Sequence, residues 1–241
     1  MPLEAKTEFS FLALRCLVLI VACLGLAWAI PNLAASVISD DFRDLDARLL
    51  QFETVRPASA IRMLQIAESE ALSFCDTDAQ HALLLMEIPL AEIALRSGAA
   101  QDFDRHVNAI ESRSRQVLGC TPRDSLVWLL LFGIEIEHGN LGTHAFDLLE
   151  MSYTTSPNEG WLGVRRITVA IPVILAAPKP LQQTILAEFE RLVRNRLVEV
   201  PARAYSSASA PARALLQSRI DKLDANSQKL FSDALERLRA S

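Results

Sequence analysis

Between Cys16 and Ser39 the chain carries no charged side chain, and the stretch "CLVLIVACLGLAWAI" from Cys16 to Ile30 is almost purely apolar. A helix needs about 20 such residues to cross ~30 Å of hydrocarbon. The run therefore predicts a transmembrane helix over residues 16–38, with a cytoplasmic lead over 1–15 and a periplasmic domain over 39–241. Lys6 and Arg15 flank the run on one side and the acidic "SDDFRDLD" on the other, which sets the amino terminus in the cytoplasm and the bulk of the chain outside. The expected location is the bacterial inner membrane, crossed once. Arg15, the apolar stretch and Ala27-Trp28-Ala29 also imitate a cleavable signal peptide. The uncharged run continues well past Ala29 and Pro31 would sit just after the cut, which favours an anchor. Gly25-x-x-x-Ala29 is a small-residue spacing that permits a weak homodimer through the span.

Beyond the span, the pattern excludes more than it assigns. The net charge of −5 and the lack of a clustered basic face argue against nucleic-acid binding. There is no glycine-rich phosphate loop, no G-x-S-x-G and no Cys-x-x-Cys. The histidines are His81, His106, His138 and His144, and Glu135-x-x-His138 is the one Glu-x-x-His, where a two-metal helical bundle wants two of them plus two further glutamates. His138 beside the Gly139 turn reads as a helix-end residue facing the negative end of the dipole. No catalytic, cofactor-binding or metal-binding residue is expected, and an enzyme is the least favoured reading.

From about Asp40 onward the chain reads as consecutive helices. "DFRDLDARLLQFETV" stops before Pro57, "PASAIRMLQIAESEALSF" reaches the turn at Cys75, and "DAQHALLLMEIPLAEIALRSG" ends on Gly98, a residue suited to the left-handed helix terminus. "AQDFDRHVNAIESRSRQVLG", "PRDSLVWLLLFGIEIEHG" and "LGTHAFDLLEMSYTTS" follow. Pro172 is expected to kink or end the helix in "VRRITVAIPVILAA", an apolar run too short for a second span and better read as a buried helix. Leu181, Ile185, Phe189 and Leu192 form one stripe, and Phe231, Ala234, Leu235 and Leu238 another. Pro201 and Pro211 bracket a softer segment. The fold class is all-α.

Thr121 to Pro157 has the rhythm of a tetratricopeptide unit: Trp128 and Leu131 on a first helix, the Gly139 turn, Ala145 and Leu149 on a second, and Pro157 opening the next. Residues 78–119 repeat the layout without the tryptophan. Such units bury their apolar faces by stacking, which predicts a tetratricopeptide-like array of antiparallel hairpins with a concave binding surface.

The segment "SPNEGWLGVRR", Ser156 to Arg166, breaks this pattern. Ser156, Pro157 and Glu159 have the spacing of an N-cap, a first helical residue and a reciprocal capping box. Gly160 and Gly163 allow close helix approach, Trp161 is expected to fill a groove between hairpins, and Arg165 can lay its guanidinium over that indole. Arg166 is expected either to pair with an acidic residue on the preceding hairpin or, with Arg165, to grip an anionic partner. Cys75 and Cys120 both fall at interhelix turns and are candidates for a disulfide in an oxidising compartment, two unpaired thiols being the alternative.

The combination of a short lead, one span, "TPRDSLVWLLL", "SPNEGWLGVRR" and "LAEFERLV" resembles small membrane-anchored proteins associated with bacterial exopolysaccharide biosynthesis. The resemblance covers Thr121 to Val193 and is most specific over Ser156 to Arg166. It implies a non-catalytic adaptor or scaffold whose partners are other proteins of an envelope polysaccharide assembly. A helical interaction protein of a secretion or cell-wall machine is the alternative.

Overall fold

The structure, a computed structural model, describes residues 3–50, 53, 55–69, 72–73 and 75–240, and the side chains of these apart from 3–14, 16 and 30–40. Among the described residues there are eleven α-helices, one 3-10 turn and no strand. The first is α1 (Leu3–Leu50), followed by α2 (Pro57–Ser69), α3 (Thr77–Ser97), α4 (Ala100–Cys120), α5 (Ser125–Glu137) and α6 (Thr143–Thr155). Then come α7 (Gly160–Ala170), the 3-10 turn (Ile171–Val173), α8 (Lys179–Arg194), α9 (Glu199–Ser207), α10 (Ala210–Ile220) and α11 (Ala225–Ala240).

The region of the expected span and the first helix beyond it form one element, because α1 runs unbroken from Leu3 to Leu50. The expected span, residues 16–38, lies inside this helix, but the side chains of Cys16 and of residues 30–38 fall outside those described. Among the described residues no helix is long and apolar enough to cross a membrane. Beyond residue 40, α1 turns one face inward: Phe42, Asp46 and Leu49 are buried against α3 while Asp41, Arg43 and Asp44 are exposed.

Local chemistry sets most helix ends. Asp76 and Asp124 cap α3 and α5, their carboxylates accepting from the amides of Ala79 and Val127 at 3.3 and 3.2 Å, which satisfies donors a helix start leaves orphaned. Gly98 ends α3 at φ 73°, a left-handed conformation that costs a side-chain-bearing residue energy. Pro172 stops α7 and leaves the following apolar residues in the 3-10 turn, with Ile171 and Ile174 fully buried, as a core segment should be.

Helices α3 and α4 pack as one hairpin, α5 and α6 as the next, and α7 pairs with α8. Further contacts of α4 with α5, α7 with α9 and α9 with α11 carry one hydrophobic core from Phe42 to Ala234. Leu181, Ile185, Phe189 and Leu192 all face that core, and Phe231 stacks edge-on against both Phe189 and Tyr205. The segment between Pro201 and Pro211, expected to be soft, is instead two helices: each proline falls in a first turn, where its missing amide costs nothing. Cys75 and Cys120 are joined by a disulfide, Cα atoms 5.2 Å apart, tying the turn before α3 to the end of α4.

Candidate functional site

The capping box expected in "SPNEGWLGVRR" does not form. Ser156 terminates α6 rather than starting a helix, Pro157 and Asn158 make a turn, and α7 begins at Gly160 with Glu159 flanking it and no side-chain cap. The cause is Arg166. Its guanidinium lies 0% exposed and folds back onto the end of α6, donating to the carbonyls of Ser152 and Ser156, the latter at 2.8 Å, and to Ser152 Oγ at 3.0 Å. A cation seated on the last carbonyls of a helix satisfies orphan acceptors and meets the negative end of the dipole.

Burying that cation requires an anion. Arg166 Nη1 donates to Glu188 Oε1 of α8 at 3.2 Å, Tyr153 donates its hydroxyl to Glu188 Oε2 at 2.7 Å, and Arg191 reaches Oε1 from outside at 3.1 Å. The Arg166 guanidinium also sits 4.7 Å from the centre of the Tyr153 ring. Burial, then the neighbouring Glu188 carboxylate, hold the Tyr153 phenol well above its ordinary value. Gly163 gives Glu188 its place, since a Cβ there would come within 2.9 Å of Oε1. The expected close approach at Gly163 is thus made by a carboxylate, and Gly160 meets only Leu197 at an ordinary 3.7 Å. Arg166 is therefore unavailable as a surface grip: it locks α6, α7 and α8 together.

Arg165 points the other way. Its Nη2 donates at 3.0 Å to the carbonyl of Leu49, at the end of α1. Beside it is a polar junction the sequence reading missed, built from Asp46 of α1, His81 of α3 and the α5 cap Asp124. His81 Nε2 lies 2.6 Å from Asp124 Oδ2 and its Nδ1 3.9 Å from Asp46 Oδ2. Burial pushes the Asp46 carboxyl up to about 6, with Asp78 and Asp124 adding to the effect and His81 and Arg165 opposing it. Burial alone would lower His81, but the hydrogen bond and charge of Asp124, with Asp46 and Asp78, outweigh it and raise its pKa. Asp46 Oδ1 is buried with no hydrogen-bond partner. A second buried acid–imidazole contact, His106 Nδ1 to Glu87 Oε2 at 2.5 Å, joins α4 to α3.

Trp128 and Trp161 are both half-buried and packed on the core, and Trp128 Nε1 donates to the Pro122 carbonyl at 2.8 Å. Between α3, α4, α5, α7 and α9 lies an open cavity of about 510 Å³ with an overwhelmingly apolar lining. Arg165 lines it, so one side chain links the groove to the α1 junction. Neither feature presents a nucleophile beside a base. The groove can hold apolar matter, and the junction can hold α1.

Signals for the missed Glu188 and for the burial of Arg166 were present. Glu188 lies seven residues after Leu181 on the apolar stripe of α8, and Arg166 occupies the same face of α7 as Leu162 and Ala170. A charge on a buried stripe asks for a partner. No protein-family model, curated protein or solved structure matches the chain.

Proposed function

We propose that the chain is a non-catalytic adaptor, anchored by α1 in the bacterial inner membrane, whose tetratricopeptide-like helical domain lies in the periplasm and holds a partner protein of an envelope polysaccharide assembly. The observation that carries the reading is α1 itself. Leu17, Val18, Leu19, Ile20, Val21, Leu24, Leu26 and Trp28 are each more than half exposed around the helix, and the same helix continues without a break into the buried residues Phe42, Asp46 and Leu49. Large apolar side chains exposed on every side of a helix suit hydrocarbon rather than water. The disulfide supports an oxidising compartment. The polysaccharide context comes from the resemblance of Thr121 to Val193.

Alkaline phosphatase fused after Ser241 should be active in a Gram-negative host, and the full chain should stay with membranes through an alkaline carbonate wash. An inactive but stably expressed fusion, or release into the wash, overturns the anchor. Loss of the chain should lower extracellular polysaccharide. Normal polymer with a secretion or wall defect would move the adaptor to another envelope machine.

A further inference from the structure

We propose that the groove between α3, α4, α5, α7 and α9 receives an amphipathic helix of a partner protein, one whose apolar ridge is bordered by lysine or arginine. The proposal deepens the adaptor reading and rests on it. The cavity of about 510 Å³ falls in the size range of built binding sites. Its walls are apolar side chains such as Leu95, Val107, Leu130, Val169 and Val200, and Leu95 stands 57% exposed at the border. Gly133 lies in the same lining, inside α5. A glycine there weakens the helix relative to alanine, yet an added Cβ would meet no atom within 4 Å. The folded chain does not need that space, and an inserted side chain would use it.

Charge selects the occupant. Glu92 and Glu137 are the acidic members of the lining, and Glu137 is the last residue of α5, at the negative end of its dipole. Glu92, on the exposed side of α3, is paired only at the surface with Arg96 at 2.7 Å, a contact screened by water. Arg165, the basic residue of the lining, is engaged with the Leu49 carbonyl. The chain as a whole carries −5. An apolar trough with an acidic border accepts the apolar face of a helix and attracts cations along its edge. The same border repels the headgroup of an anionic lipid, which makes a lipid tail the weaker occupant.

The test uses the full chain in phosphatidylcholine nanodiscs, with empty discs subtracted, and fluorescein-labelled amphipathic peptides of about 18 residues, or five helical turns. One peptide is built of leucine and lysine, its twin of leucine and glutamate. The leucine–lysine peptide should bind at least about tenfold tighter than the twin, and tightness should fall with added salt. Gly133→Leu should weaken binding by about tenfold or more with melting unchanged or raised, because its Cβ meets no atom within 4 Å, the rest of the side chain enters the open trough, and leucine suits a helix better than glycine. Glu92→Gln with Glu137→Gln should weaken it severalfold and flatten the salt dependence. Equal affinity for the two peptides, or unchanged binding by a folded Gly133→Leu chain, overturns the proposal. So does Gly133-dependent binding of phosphatidylglycerol without binding of the leucine–lysine peptide. The experiment is blind to topology and to polymer output, so it and the adaptor reading can fail separately.

Discussion

Arg166 on α7 and Glu188 on α8 meet at 3.2 Å with both side chains essentially out of water. The pair is held from three sides, by Tyr153, by the end of α6 and by Arg191. Arg166→Ala should therefore cost about 3 to 5 kcal/mol, since it strands a buried carboxylate. Urea melts of Arg166→Ala, Glu188→Ala and the double variant give the coupling. The double variant should be much less destabilised than the sum of the singles, and additive losses would mean that the contact carries no energy of its own.

Gly163→Ala tests the same lock without removing a charge. The new methyl would arrive 2.9 Å from Glu188 Oε1 and 3.2 Å from its Cδ, and the carboxylate is too well tethered to step aside freely. A loss of about 1 to 3 kcal/mol is expected, as for other overpacked sites. Gly160→Ala, with its nearest neighbour at 3.7 Å, should be close to neutral by the same melt.

These two expectations show how far the sequence was legible. Apolar periodicity and turn residues located α3 to α6 within a few residues, whereas α2 ends at Ser69, short of the turn at Cys75, and α8 ends at Arg194, short of Val200; Gly98 and Pro172 punctuate the chain where their backbone chemistry requires. "SPNEGWLGVRR" misled because Ser, Pro and Glu at capping spacing are satisfied by local chemistry alone, whereas Arg166 reaches back ten residues to Ser156 and forward 22 to Glu188. Long-range pairing of charges leaves no period in a sequence. The junction of Asp46, His81 and Asp124 was hidden for the same reason, its members lying 35 and 43 residues apart. Pro201 and Pro211 misled in the opposite direction, since a proline opens a helix as readily as it ends one.

The disulfide of Cys75 and Cys120 closes a loop of 45 residues around α3 and α4. Reduction, or Cys75→Ser with Cys120→Ser, should lower stability by roughly 4 kcal/mol in the chain-entropy picture. Alkylation of the native, unreduced protein should leave both cysteines unmodified while Cys23 reacts in detergent. Labelling of all three would remove the bridge.

Stability should fall as pH rises through the junction's range. Asp46 has a folded value of about 6 against an ordinary 3.8, so the native state holds the proton more tightly and loses that advantage between about pH 4 and 6. His81 is raised above 6.5, so its contribution is full below that value and is lost as pH climbs through its folded pKa. Asp46→Asn should raise stability at pH 8 by on the order of 1 kcal/mol and change little at pH 4, a difference that thermal melts at the two pH values would read. An equal effect at both would mean that Asp46 does not titrate in this range.

A flexible leash would let a domain drift in height and heading beneath whatever seats its other end. Here the connection is a rod: α1 is 48 residues of continuous helix, about 72 Å at 1.5 Å per residue. Its far end is gripped through Phe42, Leu49 and the Arg165 bond to the Leu49 carbonyl. Any rotation of the Leu17–Trp28 end about the helix axis is consequently passed to the groove as a change of compass bearing, so that for the adaptor proposed above the side open to a partner would be decided at the opposite end of the molecule.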